Sequence, residues 1–275
     1  MEHFVLLIII GFMVGTLGTL IGAGGGFILV PILLLTNPAL KPEIITAVSM
    51  AIVALNALSG TVAYAKAKRI DYKAGILFAL FTIPGSIIGA LTTKHISKNL
   101  FNILFGVILL LLAIYLFFKK ASNLPTLENN KTKKSWRHHL VTDSSGKTYS
   151  YSYNNNLGLI ISLLVGFISP ILGIGGGIIH VPALVNWLKF PVHIATATSH
   201  FILLIMAVAS VFVHIHEGSY NDPAIVRIII LLGIGVICGA QLGAYLSQKI
   251  KGQLIIRALA LALGLVGLRI LLLTI

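Results

Sequence analysis

Backbone amides, hydroxyls, the Asn56 carboxamide and a few imidazoles are the groups this sequence singles out to hold a ligand inside an apolar protein. They recur in register. Gly22-Ala-Gly-Gly-Gly26-Phe-Ile-Leu-Val-Pro31 returns 151 residues later as Gly173-Ile-Gly-Gly-Gly177-Ile-Ile-His-Val-Pro182. A glycine inside a helix costs about 1 kcal/mol against alanine, so three in a row predict that the helix stops. The segments that restart after each run, 27–35 and 178–188, turn unpaired N–H groups and the positive end of the helix dipole toward the break. Such an end binds anions without help from Lys or Arg. Gly24, Gly25, Gly26, Gly175, Gly176 and Gly177 are therefore candidate amide donors. The carbonyls freed at the same breaks offer the opposite chemistry, a cation site.

A second repeated pair adds side chains. Ala47-Val-Ser49-Met matches Ala197-Thr-Ser199-His at an offset of 150. The hydroxyls of Ser49 and Ser199 can donate to an oxyanion, or bond back to their own helix. Asn56 follows Ser49 at i+7 and shares its face. An amide buried in lipid is costly unless paired. Histidine breaks the symmetry between the halves: His180 stands where the first half has Leu29, His200 where it has Met50, and His214 where it has Tyr64. Ionisable residues inside a membrane are functional candidates. His180 and His200 can donate to an anion or carry a coupled proton, whereas His214 and His216 read as interfacial. These histidines lack ligand spacing and thiolate or carboxylate partners, so no metal site is expected. No cofactor is expected either.

The elements that position these groups follow from composition. Hydrophobic residues make up 57% of the chain and charged residues 10%. Windows 4–35, 44–65, 74–93, 99–118, 157–188 and 190–216 contain no Asp, Glu, Lys or Arg. A span takes about 20 apolar residues, so the chain reads as an all-α polytopic membrane protein. Three domains are expected: a first transmembrane repeat over 1–118, a basic soluble linker over 119–156 and a second repeat over 157–275. Each repeat holds a glycine-broken helix pair and three full transmembrane helices. The broken runs are too long for one span and too short for two, which predicts two short half-helices meeting at the glycines. Gly15, Gly85, Gly89, Gly235, Gly239 and Gly243 are read as close helix–helix contacts.

Loop charge then orients the halves. If each broken pair returns to the side it entered from, the halves are inverted, with fourteen Lys/Arg on the linker side and three on the other. If each crosses once, the halves are parallel and the split is eleven to six. The positive-inside bias favours the inverted repeat in a cytoplasmic (inner) membrane. The net charge of +13 is thus read as membrane orientation and lipid contact, not nucleic-acid binding. Within the linker, His138–Thr142 and Lys147–Tyr153 flank a turn at Asp143–Gly146 and could pair as a hairpin; plain disorder is the equal alternative. Paired breaks in corresponding places of two halves mark a secondary transporter. An enzyme is not expected: neither Gly-x-Ser-x-Gly nor His-Glu-x-x-His occurs, and the glycine runs lack the Gly-Lys-Ser/Thr of a P-loop.

The doubled Gly-x-Gly-Gly-Gly…Pro motif with the repeated Ala-x-Ser resembles the sulfite exporter TauE/SafE family over nearly the whole chain outside the linker. That resemblance implies export of small sulfur-containing anions such as sulfite or organosulfonates. The expected partners are that anion, membrane lipids and a coupled proton or ion.

Overall fold

The computed structural model describes residues 2–37, 39–118, 136–250 and 252–274. The first half builds α1 (Glu2–Ile21), α2 (Gly26–Thr36), α3 (Pro42–Lys66), α4 (Tyr72–Thr93) and α5 (Lys98–Phe118). The second builds α6 (Asn155–Leu172), α7 (Gly177–Asn186), α8 (Val192–His216), α9 (Pro223–Lys249) and α10 (Gly252–Thr274). Among the described residues seven helices are long and apolar enough to cross a membrane: α1, α3, α4, α5, α6, α8 and α9. The arms on either side of each glycine run are unequal. Helix α1 has 20 residues and α2 has 11; α6 has 18 and α7 has 10. At 1.5 Å per residue α1 is about 30 Å long and α2 about 16 Å. The expected pair of half-helices therefore holds for α2 and α7 only. The glycines cut the first apolar run late, and in the second half α6 starts two residues before the run, directly from the hairpin.

Helix pairing crosses between the halves. A methyl group added at Gly11, Gly15, Gly235, Gly239 or Gly243 would meet backbone of the partner along the α1/α9 seam, which runs from Ile8–Gly235 to Leu20–Gly243. The two helices are thus parallel. Gly85, Gly89 and Gly166 do the same for α4 against α6, also parallel. These are the small-residue contacts the sequence predicts. Helix α5 meets α10 with Gly106 against Leu271 and Gly264 against Ala113, an antiparallel course. Helices α3 and α8 are antiparallel as well, since Gly60 abuts His200 while Tyr220, just past α8, donates to the Ala47 carbonyl at 2.8 Å.

The linker hairpin forms and is docked rather than free. Strands β1 (Trp136–Thr142) and β2 (Thr148–Asn154) pair antiparallel, Trp136 opposite Asn154 and Thr142 opposite Thr148. The Tyr-Ser-Tyr-Ser-Tyr alternation of β2 puts Tyr149, Tyr151 and Tyr153 on one face, and all three are buried. Tyr151 and Tyr153 stack on Phe190, with ring centroids 4.5 and 5.1 Å away. Asp71, the N-cap of α4, accepts from Tyr151 Oη at 2.6 Å and from His139 Nδ1. Ser144 N–H reaches the Ala67 carbonyl at 3.0 Å. The hairpin therefore touches the α3–α4 loop of one half and the α7–α8 loop of the other. An isolated hairpin would be marginal; this one gains its stability from that contact. On another face Lys94 and Glu217 form an ion pair at 2.9 Å between the α4–α5 and α8–α9 loops. The linker lysines Lys119, Lys120, Lys131, Lys133 and Lys134 lie outside the described residues.

The hairpin turn is organised by Asp143. Burial works to raise its carboxyl, but hydrogen bonds from Ser145 and Lys147 and the charge of Arg69, 3.6 Å away, hold it below the ordinary carboxylate range. A depressed value contributes stability that is complete above the unfolded value of about 3.9 and is lost as pH falls through the folded one. Hydrogen exchange of residues 136–154 is accordingly expected to stay protected at pH 6 and to accelerate below about pH 4. The Asp143→Asn variant is expected to show weaker protection already at pH 6, and with no acid transition at this turn.

Candidate functional site

Both glycine runs are breaks, and they are built alike. Gly22, Gly24 and Gly25 adopt φ of +80°, +78° and +82°, and Gly173, Gly175 and Gly176 adopt +66°, +76° and +51°. Side chains other than glycine are strained there. All residues of 22–26 and 173–177 are buried. The two breaks pack directly on one another. A methyl group at Gly26 would strike the Gly173 carbonyl and Ile174, and one at Gly177 would strike Gly22 and Ala23. The space immediately between the touching glycines is therefore full, and the unpaired groups lie on their flanks.

In the first break, the first hydrogen bonds of α2 run from Ile28 and Leu29 N–H to the Gly25 carbonyl at 3.0 and 3.1 Å. The amides of Gly25, Gly26 and Phe27 precede that ladder. In the second, Ile179 and His180 N–H bond the Gly176 carbonyl at 3.0 and 2.8 Å, and Gly177 N–H turns back to Gly175. The positive ends of α2 and α7 thus open at the breaks with no acidic side chain in the first turn.

Ser49 and Ser199 do reach the breaks, but each reaches the other half's break and bonds a carbonyl. Ser49 Oγ donates to Gly173 O at 2.5 Å, and Ser199 Oγ donates to Gly22 O at 3.4 Å. Their protons hold the breaks closed in this state instead of pointing at open space.

Asn56 and His200 are brought together by a residue that sequence reasoning missed. Thr19 Oγ1 donates to Asn56 Oδ1 at 2.7 Å and lies 3.2 Å from His200 Nε2. Tyr64 stands edge-on to the His200 ring and its hydroxyl donates to Thr19 O at 2.7 Å. All four side chains are buried. Asn56 Nδ2 and His200 Nδ1 are left without partners. The Asn56 nitrogen lies beside the first break: a methyl group at Gly18 would meet both it, at 2.8 Å, and Gly25 N. At the second break the matching orphan is Ser169 Oγ, buried and unpaired, which with Met206 flanks Gly176. Ser169 was also missed; its signal was a hydroxyl four residues ahead of Gly173 in an apolar run. His180 is not part of this assembly. Its Nε2 pairs at 3.2 Å with Ser162 of α6. The breaks otherwise abut aliphatic side chains, Leu203 and Val53 at Gly24 and Val53 at Gly175. Among the described residues no cluster of three or more metal-ligating side chains occurs.

This architecture is that of a multi-pass integral membrane protein, and comparison with known proteins gives its family. Residues 7–270 match the family described as Sulfite exporter TauE/SafE, and the chain belongs to that family. It is 32% identical to the probable membrane transporter protein YunE of Bacillus subtilis (strain 168) over 270 residues, covering 96% of each chain. It is 29% identical to a probable membrane transporter protein of Methanocaldococcus jannaschii over 279 residues, 97% of this chain and 95% of the relative. A third relative, the probable membrane transporter protein YdhB of Bacillus subtilis (strain 168), is 24% identical over 273 residues. No solved structure matches the chain.

The contact between breaks sets a steric test. Gly177→Ala is expected to force the two backbones apart and lower stability by at least about 1–3 kcal/mol, the usual cost of overpacking. Gly264→Ala, whose added methyl would sit 3.5 Å from Ala113 Cβ, is expected to be neutral or to raise stability by up to about 1 kcal/mol. Thermal melting of both variants in detergent checks the contrast.

Proposed function

We propose that the chain is a secondary transporter of the cytoplasmic membrane that exports small sulfur-containing anions such as sulfite or organosulfonates. The anion binds at the glycine breaks, held by the α2 and α7 amides together with Asn56 and Ser169, and the halves rock about this site as an inverted repeat. The observation that carries the reading is the pairing, at each break, of an uncapped helix N-terminus with a buried polar group that has no partner. Asn56 Nδ2 stands at Gly25 and Ser169 Oγ at Gly176. Buried donors left unpaired are costly, and a bound oxyanion satisfies them. The substrate class is taken from the family description, Sulfite exporter TauE/SafE. A cation held by freed carbonyls is a weaker reading, because the Gly22 and Gly173 carbonyls already accept serine protons.

Three features support the inverted arrangement. The counterpart helices α3/α8 and α5/α10 run antiparallel, as an in-plane two-fold axis requires. The hairpin touches both Ala67–Asp71 and Phe190, and parallel halves would put those loops on opposite faces. The Lys94–Glu217 pair likewise joins loops that parallel halves would separate.

The test is anion-dependent stabilisation of the purified protein. Sulfite or a sulfonate is expected to raise the melting temperature by several degrees over equal chloride. Gly176→Leu is expected to abolish that shift and flux in reconstituted vesicles. Equal melting in all three anions, with flux intact in Gly176→Leu, overturns the assignment.

A further inference from the structure

His200 is a buried titratable group that anion binding alone does not use, and its surroundings define which of its nitrogens is free. The Thr19 hydroxyl has one proton. It is committed to Asn56 Oδ1 at 2.7 Å, since a carboxamide oxygen only accepts. Thr19 Oγ1 must then accept from His200, at 3.2 Å, so Nε2 carries the hydrogen. The neutral ring therefore has its lone pair at Nδ1, which is buried and unpartnered. The elements packed against the ring bring no counter-charge to it. Helix α1 contributes Thr19, the break that follows it contributes the Gly22 carbonyl, and α3 contributes Asn56 through Thr19, Gly60 and Tyr64. Tyr64 is already engaged with Thr19 O, and the guanidinium of Arg69 lies beyond it.

We propose that His200 is the coupling residue of this transporter: Nδ1 takes up one proton as the anion enters the first break and releases it as the anion leaves. This rests on the anion reading above. The step is a protonation of the free lone pair by a proton from water, converting imidazole to imidazolium, and its reversal. The driving force is charge balance. An imidazolium alone in this site is a buried unpaired charge, and so is a bound anion alone; each costs several kcal/mol. Together they are a neutral pair, with Asn56 Nδ2 and the Gly25 amide as further donors on the anion's side. Because Met50 occupies the equivalent position of the other half, the count is one proton per cycle rather than two.

The probe is isethionate, a sulfonate that stays anionic across the whole pH range used. Its binding to the full chain in detergent is followed by titration calorimetry in two buffers of different ionisation enthalpy. The expected result is uptake approaching one proton per anion at pH 7.5. Between pH 7 and 8, above the ordinary imidazole value of about 6.5, Kd is expected to rise about tenfold. His200→Gln and His200→Met are expected to bind more weakly, with uptake near zero and a Kd independent of pH. If the wild type binds isethionate with no proton uptake and a flat pH profile, the coupling fails and the anion reading stands. If a folded His200 variant still takes up the proton, another group carries it and the proposal is overturned. If neither isethionate nor sulfite binds, the anion reading fails and takes the coupling with it. The wild-type measurement decides on its own should both variants fail to fold.

Discussion

A backbone polar group in lipid must be satisfied within the protein, and this structure is arranged around that constraint. Each glycine run frees carbonyls and amides deep in the fold. The carbonyls of Gly22 and Gly173 are satisfied by serines of the opposite half, so neither half can close its own break. The two breaks are consequently forced into contact, with Gly26 and Gly177 permitting backbone to touch backbone. That contact leaves amides at the start of α2, among them Gly26 and Phe27, ahead of the helical ladder. The cross-half serine bonds thus produce both the tight centre and the chemistry available at its edges.

Much of this was written in the sequence because glycine, proline and alternation act locally. Three adjacent glycines end a helix in any context, and both breaks fall at the runs. Segments 138–142 and 147–153 read equally as a hairpin or as disorder, and they pair as the hairpin. Other features depend on who the neighbours are. Nothing in Ala-x-Ser tells whether the hydroxyl meets an anion, its own helix or, as here, the carbonyl of the other half. Thr19 and Ser169 sit in apolar runs where a single hydroxyl is ordinarily bonded to its own helix; only the fold brings Thr19 against Asn56 and His200. The unequal arms of α1 and α2 escaped the length argument because that argument counts residues in a run without asking where the run is cut. Hairpin docking was illegible because its partners, Asp71 and Phe190, are far from it in sequence.

The two glycine breaks differ in polarity. Thr19, Asn56 and Tyr64 correspond to Pro170, Met206 and His214, and His200 corresponds to Met50. One break is thus lined by a hydrogen-bonded network with two orphan nitrogens. The other has a lone serine hydroxyl beside a thioether.

The hairpin also bridges the two halves. It is joined to the first half through Ala67, Arg69 and Asp71, and to the second through Phe190 and through the chain itself, since β2 ends at Asn154 and α6 begins at Asn155. The aromatic stack on Phe190 is apolar and without directional bonds, whereas Asp71 holds Tyr151 and His139 by directed hydrogen bonds. The hairpin is therefore fastened to the first half by directed hydrogen bonds and to the second by the chain itself, and it ties the two together. On another face the exposed Lys94–Glu217 pair spans the same boundary. An exposed ion pair is screened by water, so it fastens this boundary far less firmly than the hairpin does.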